Sequence, residues 1–214
     1  MLQLETNDMA QYLESSEIID FYNDLIQTEM KRLKNTAPHL INSIAPEGKG
    51  LEYIRKAYEY VRDTFAHSFD LMNSGRQVLQ VSCTASDVIR NGHGLCYAKS
   101  HLLAAILRCS GIPTGFCYQT LTLSDEDPKL ILHAVNAVYI SHLEKWIRLD
   151  ARGNRKGINA QFSVGEEILA FSVRAELGES DGTMIYARPS ENVISALKNS
   201  KTLTELLYNL PKEV

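Results

Sequence analysis

The stretch Asn91-Gly92-His93-Gly94-Leu95-Cys96-Tyr97-Ala98-Lys99-Ser100-His101-Leu102-Leu103-Ala104-Ala105-Ile106-Leu107-Arg108 decides how this chain is read. A glycine-bearing loop runs straight into a segment that is apolar nearly all round. Such a segment is a helix buried at the centre of a domain rather than one lying on its surface. Gly111 and Pro113 stop it. Cys96 therefore opens a buried helix. A helix start presents backbone N–H groups without partners inside the helix, together with a partial positive charge. Both favour the thiolate form of a cysteine placed there. The same N–H groups can hold an oxyanion forming on a substrate, and the two glycines let the main chain approach a ligand closely. The competing reading makes Cys96 a small buried apolar residue and nothing more. That reading is the one preferred for Cys109 at the helix end, for Cys117 in a strand and for Cys83.

Working outward, the upstream half reads as helical. Over 16–35 the apolar residues Ile18, Ile19, Tyr22, Leu25, Ile26, Met30 and Leu33 form a helical stripe, and over 51–65 Leu51, Ile54, Tyr58, Val61 and Phe65 repeat it. Pro46, Gly48 and Gly50 mark the loop between the two. A short helix over 85–90 is capped by Thr84, with Asp87 at capping-box spacing, and ends at Asn91-Gly92. Downstream the period changes. Residues 115–123, 130–140 and 146–150 are rich in β-branched and aromatic side chains. They are separated by Ser124-Asp125-Glu126-Asp127-Pro128 and by Ser141-His142, which predicts three antiparallel strands. Helices followed by hairpins make the fold class α+β. Residues 166–171 fit either helix or strand. Ser190 caps a helix to about 199, and Thr202 with Glu205 opens a last short one.

Two further residues give Cys96 its chemistry. His133 lies inside the apolar strand Leu130-Ile131-Leu132-His133-Ala134-Val135-Asn136-Ala137-Val138-Tyr139-Ile140, where a buried ring needs a partner. Taken alone, it is a core histidine bonded to the backbone. Asp150 ends Trp146-Ile147-Arg148-Leu149-Asp150 and, taken alone, is a surface aspartate after a strand. Parity links them. A hairpin centred between Ser141 and His142 pairs His133 with Asp150. Centred one residue later, it makes them diagonal neighbours on the same face. An odd-numbered turn separates them. Cysteine, histidine and carboxylate together supply a nucleophile, a proton carrier and a group that fixes the imidazole tautomer.

These residues, with Gly111-Ile112-Pro113 and Trp146-Ile147-Arg148-Leu149-Asp150-Ala151-Arg152-Gly153, resemble the core of the transglutaminase-like superfamily, in particular the small bacterial transglutaminase-domain proteins. The resemblance covers about 67–162. It implies a papain-like α+β fold with N-terminal helices, a central buried helix bearing Cys96 and an antiparallel sheet bearing His133 and Asp150. It also implies acyl transfer through a thioester, with Cys96 as nucleophile, His133 as base and Asp150 as the orienting acid. The animal crosslinking enzymes of the family carry Trp after the nucleophile, and Tyr97 stands there in this chain. Hydrolysis of a peptide or amide is therefore favoured over protein crosslinking. Two alternatives stand beside it: a non-catalytic binding or scaffold module on the same fold, and an arylamine acetyltransferase-like enzyme. The latter usually has an arginine-rich approach to the cysteine, where this chain has His93-Gly94-Leu95. His93, Tyr97, Gln80, Arg152 and His67 are candidates for binding substrate. For each a structural role is the alternative: a solvent-facing loop residue for His93, core packing for Tyr97, and neutralisation of Asp150 for Arg152. Asp70, near His67, faces either the cleft or solvent.

Composition narrows the classes. Of 214 residues, 44% are hydrophobic and 22% charged, which excludes disorder as the main state. The net charge is −4, and no Lys/Arg cluster breaks it, so neither nucleic acid nor an anionic membrane is expected as a partner. The expected partner is a peptide, protein or small amide substrate. The acidic start Met1-Leu2-Gln3-Leu4-Glu5 has no signal-peptide pattern. No apolar run reaches the roughly 20 residues of a membrane span. A cytoplasmic protein with four reduced cysteines is expected. The spacing His93-x2-Cys96-x4-His101-x7-Cys109 does not suit zinc. His101 and Cys109 would sit about 12 Å apart along the helix, so no metal or other cofactor is expected. No linker divides the chain. It reads as one domain over 1–214, with a helical part over 1–66, a catalytic core over 67–162 and a C-terminal extension over 163–214.

Overall fold

The structure is a computed structural model that describes residues 1–35, 49–76, 80–125 and 127–214. Its helices are α1 (Asp24–Asn35), α2 (Lys49–Thr64), α3 (Ser68–Asn73), α4 (Ala85–Asn91), α5 (Cys96–Cys109), α6 (Glu191–Asn199) and α7 (Leu203–Tyr208). Its strands are β1 (Gln3–Leu4), β2 (Ala66–His67), β3 (His93–Gly94), β4 (Thr114–Thr122), β5 (Leu130–Ile140), β6 (Lys145–Leu149), β7 (Ser180–Asp181) and β8 (Met184–Ile185). The antiparallel sheet has the order β6-β5-β4-β7, and two short parallel pairs, β1-β8 and β2-β3, lie outside it. The fold is α+β, as expected.

Helix α5 is buried from Cys96 through Arg108. It packs between α1, α2 and α4 on one side and β4 and β5 on the other. Its apolar residues build the main core with Ile26, Tyr58, Val61, Phe116 and Val138. Its polar side chains are buried as well, so each needs a partner. Lys99, fully buried, donates to the main-chain oxygens of Arg62 (3.0 Å), Phe65 (2.6 Å) and Arg152 (2.8 Å). The His101 ring meets the Cys83 carbonyl at 2.7 Å. Arg108 donates to the carbonyls of Thr114, Glu14 and Ala187. The helix is thus pinned by its polar side chains to the carbonyls of the segments that enclose it. Burial pulls the Lys99 ammonium down to about 7, with Arg152 adding to the effect against nearby carboxylates.

Several expectations are corrected at element ends. The helix read over 16–35 begins only at Asp24. Before it, Ser16 Oγ accepts from the amides of Ile18 and Ile19, Ser15 Oγ donates to the Ile19 carbonyl, and Asn23 Oδ1 accepts from the Leu25 amide. These short side chains offer the backbone an alternative to the helix, while Ile18 and Ile19 still reach the core. Gly50 lies in the first turn of α2 rather than in a loop. Pro46, Gly48 and Glu126 lie outside the described residues. Residues 166–171 are neither helix nor strand. They form an irregular run bridged to Gln161 through Ile168. Helix α4 carries the full Thr84–Asp87 capping box. At α7, Thr202 caps the Glu205 amide, but the Glu205 carboxylate returns to the Lys201 amide instead.

The C-terminal stretch shares the main core through Val193, Leu197, Leu203 and Leu206. It also completes the edge of β5: the Leu132 amide donates to the Pro211 carbonyl at 2.8 Å, and the Leu132 carbonyl accepts from Tyr97 Oη at 2.6 Å. Both main-chain groups of the residue before His133 are therefore fixed from outside the sheet.

Lys99→Met keeps the methylene stem and removes the three donated bonds. The expected loss of stability is about 2–4 kcal/mol, because buried carbonyls are left bare, and urea denaturation measures it. A change within about 0.5 kcal/mol would show that the lysine does not fasten the fold.

Candidate functional site

The register of β5 and β6 answers the parity question. Their connection folds into a single 3-10 turn, Ser141–Leu143, followed by Glu144 in the left-handed region at φ 48°. Ile140 then pairs with Lys145 and Asn136 with Leu149. This is the later-centred of the two hairpins, so Asp150 falls diagonal to His133. The diagonal is short enough: His133 Nε2 and Asp150 Oδ2 are 2.8 Å apart. Asp150 is fully buried. Its Oδ1 accepts from the Arg152 amide and its Oδ2 from the Ala170 amide, each at 3.0 Å. The carboxylate is thus held from its own strand end, from the histidine and from the 166–171 run.

Two opposing forces set the charges. Burial alone would strip the proton from His133 and put one on Asp150. Against that burial, the Asp150 carboxylate and then Cys96 raise His133 to about 10. Asp150 is pushed up by burial but ends below the ordinary carboxylate range, through His133 and the two amides. Both directions describe one imidazolium–carboxylate pair. Phe171 closes over it edge-on, its ring centre 5.1 Å from that of His133 and at 90°.

Cys96 opens α5 after Leu95, whose side chain makes no capping bond. It is 7% exposed. It lies in a cleft of about 620 Å³ together with His133, Leu132, Phe171, Tyr97 and His67. Fixing the Tyr97 hydroxyl on the Leu132 carbonyl ties the first turn of α5 to the strand that carries His133. The structure therefore brings Cys96, His133 and Asp150 to one place.

The remaining candidates divide. Tyr97, Arg152 and His67 line the cleft. Arg152 does not pair with Asp150 through its side chain. The chain turns after Leu149, and the guanidinium instead forms two 2.8 Å bonds with the carboxylate of Asp70, itself a lining residue. His93 is not brought to the cleft. It is buried in β3, with Nδ1 3.0 Å from Ser68 Oγ, and so braces the start of α3. Gln80 is exposed and also lies outside the lining. Sequence reasoning missed Phe171 and the Ala170 amide, which sit in the run that fitted neither helix nor strand. It also missed the far wall, where the Glu179 carboxylate accepts from Thr122 and Arg174. No periodicity marks a main-chain donor or a loop ring. All four cysteines are free thiols. Among the described residues no helix is long and apolar enough to cross a membrane.

The sequence model of the transglutaminase-like superfamily matches residues 38–151, just over half of the chain. A comparison with curated proteins finds no match. Solved structures that this chain matches include a candidate cysteine protease of Cytophaga hutchinsonii, at 19% identity and TM-score 0.44, covering 69% of this chain and 43% of that one. A structure described as a TGase is 15% identical with TM-score 0.39, covering 87% of this chain and 50% of that one. A candidate protease of Parabacteroides distasonis is 13% identical with TM-score 0.34, covering 61% and 25%. The chain thus spans half or less of each of these structures.

A group whose pKa is raised on folding stabilises the fold fully below its unfolded pKa and loses that effect as pH climbs through the folded value. His133 moves from 6.5 to about 10. Its contribution is complete below pH 6.5 and fades toward pH 10. The lowered Asp150 acts the other way, and its contribution is lost only in acid. The stability advantage of the native protein over His133→Gln should therefore shrink as pH rises from 6.5 to about 10. Urea denaturation at stepped pH checks this, and a difference that stays flat would refute the ion pair.

Proposed function

The chain belongs to the transglutaminase-like superfamily, and we propose that it is a cysteine-dependent acyl-transfer enzyme acting on an amide or peptide bond through a thioester. The observation that carries this reading is the 2.8 Å His133–Asp150 contact in the cleft that Cys96 opens onto. Cys96 Sγ attacks the acyl carbon, and the C=O electron pair moves onto oxygen. The first N–H groups of α5 face that developing charge, and each such donor is worth about 3 kcal/mol of barrier. The pair returns, the C–N bond breaks, and His133 delivers its proton to the departing amine. His133 then takes a proton from water as the water adds to the thioester, and collapse releases the acid and the thiolate. Asp150 holds the imidazole in place and stabilises its charged form throughout.

Hydrolysis is favoured over protein crosslinking. The cleft is of a size suited to one peptide segment or small amide, and Cys96 lines it with little exposure. Tyr97 beside the nucleophile is spent on the Leu132 carbonyl and is fully buried.

Iodoacetamide at neutral pH should alkylate Cys96 at least about tenfold faster than the other three thiols. Burial pushes Cys83 up to about 11 and Cys117 up to about 12. His133→Gln should remove most of the Cys96 advantage. Peptide mapping by mass spectrometry reads both results, and equal rates at all four cysteines would sink the proposal. Intact-mass measurement after incubation with glutamine-containing peptides should show an acyl adduct that Cys96→Ala abolishes.

A further inference from the structure

His67 has no place in that mechanism, yet its surroundings are unusual. It ends β2, and its Cα pairs with that of Gly94, two residues before Cys96. The residue is 9% exposed and lines the same cleft as Cys96 and His133. Its Nδ1 is buried without a hydrogen-bond partner among the described residues. Tyr58 Oη, Gln119 Oε1 and Asn136 Oδ1 share that condition, but of these four residues only His67 lines the cleft. A buried polar atom left bare costs its full desolvation, and a phenylalanine or leucine would fill the space without that cost.

The chemistry available to the ring is narrow. Burial first, and then the positive charges of Arg152, Lys99, His133 and Arg155, hold its pKa well below the ordinary histidine range. The imidazole is neutral, with one N–H and one lone pair. Orphaned N–H donors are rarer in folded chains than orphaned acceptors. A proton on Nε2 leaves Nδ1 as the lone-pair nitrogen, the less costly of the two tautomers in this setting. Phe69 packs edge-on against the ring, with centres 5.9 Å apart, and restrains its rotation.

We propose that His67 is a hydrogen-bond donor to the acyl oxygen of the substrate, acting as a further catalytic residue beside the start of α5. This inference rests on Cys96 being the nucleophile. As the thiolate sulfur bonds to the acyl carbon, the C=O electron pair moves to oxygen, and the His67 N–H meets that charge without giving up its proton. When the pair returns, the leaving group departs and the contact relaxes. A neutral donor suits this task, because it stabilises the oxyanion while adding no further cation beside His133 and Arg152.

Two reactions of the same sulfur separate this role from any other. Acylation by p-nitrophenyl acetate passes through an oxyanion and releases p-nitrophenolate, whereas alkylation by iodoacetamide forms none. His67→Phe should slow the release of p-nitrophenolate by about 100-fold, the order of loss when one oxyanion donor is removed. It should leave the alkylation rate of Cys96 within about twofold, and its melting temperature should not fall. His67→Gln, which keeps a donor, should recover a large part of the acylation rate. If the phenylalanine variant does not fold, His67→Leu takes its place in the same comparison. Unchanged acylation would overturn the proposal. So would equal losses in both reactions, which would mark His67 as a support for Cys96 or for the fold. Failure of the underlying reading shows separately, as a native Cys96 that neither reagent prefers.

Discussion

A helix with no exposed face between Cys96 and Arg108 is the constraint on which the rest of this structure depends. Burying apolar side chains there is favourable without further conditions. Burying Lys99, His101 and Arg108 is not, since each demands a partner in a place water does not reach. The partners are carbonyl oxygens from α2 and the turn after it, from the segment before α4, from the strand β4 and from the loop after β6. The segments that supply these carbonyls are thereby drawn to a defined distance from α5. Cys96 at its first position inherits that rigidity.

Lys99 and Asp150 show how the fastening reaches the chemistry. Arg152 is held on both sides of its α-carbon: its amide donates to Asp150, and its carbonyl accepts from Lys99. Its side chain is committed to Asp70. A single residue thus connects the middle of α5, the carboxylate and the cleft wall. Gly153 follows at φ 109°, where a Cβ would lie 3.2 Å from Lys99 Nζ. A side chain there would be strained by the backbone conformation and would crowd both the ammonium and the Arg62 carbonyl, at 3.2 Å each.

The charges in the cleft are balanced by position rather than by solvent. Against burial, His133 and Asp150 each favour the other's charged form, and two amides add to the hold on the carboxylate. His67, in the same cleft, is kept neutral by burial and the surrounding cations. Two histidines of one cleft are thus pushed in opposite directions, His133 toward its charged form and His67 toward its neutral one. The environments differ because a carboxylate lies 2.8 Å from the His133 ring, whereas among the described residues His67 Nδ1 has no partner.

Much of this was legible in the order of residues. The glycine loop, the all-round apolar run and the stop at Gly111-Ile112-Pro113 determined α5 and put Cys96 at its start, because a 3.6-residue period and its boundary signals are local. Capping residues located α4, α6 and α7 for the same reason. Alternation located the strands, and parity confined His133 and Asp150 to one face under either even turn. What the chain alone left open was decided in three dimensions. The turn at Ser141–Leu143 chose the diagonal register. The run over 166–171 delivered the Ala170 amide and Phe171 to the pair, although its own pattern fitted two elements equally. His93 and Gln80 were near Cys96 in sequence yet were left outside the cleft, while Asp70 and Glu179 were brought into it. Local periodicity determines which residues share a helix face or a strand face. Which main-chain amide meets a buried carboxylate depends on how distant segments pack, and that is set only when the core closes around α5.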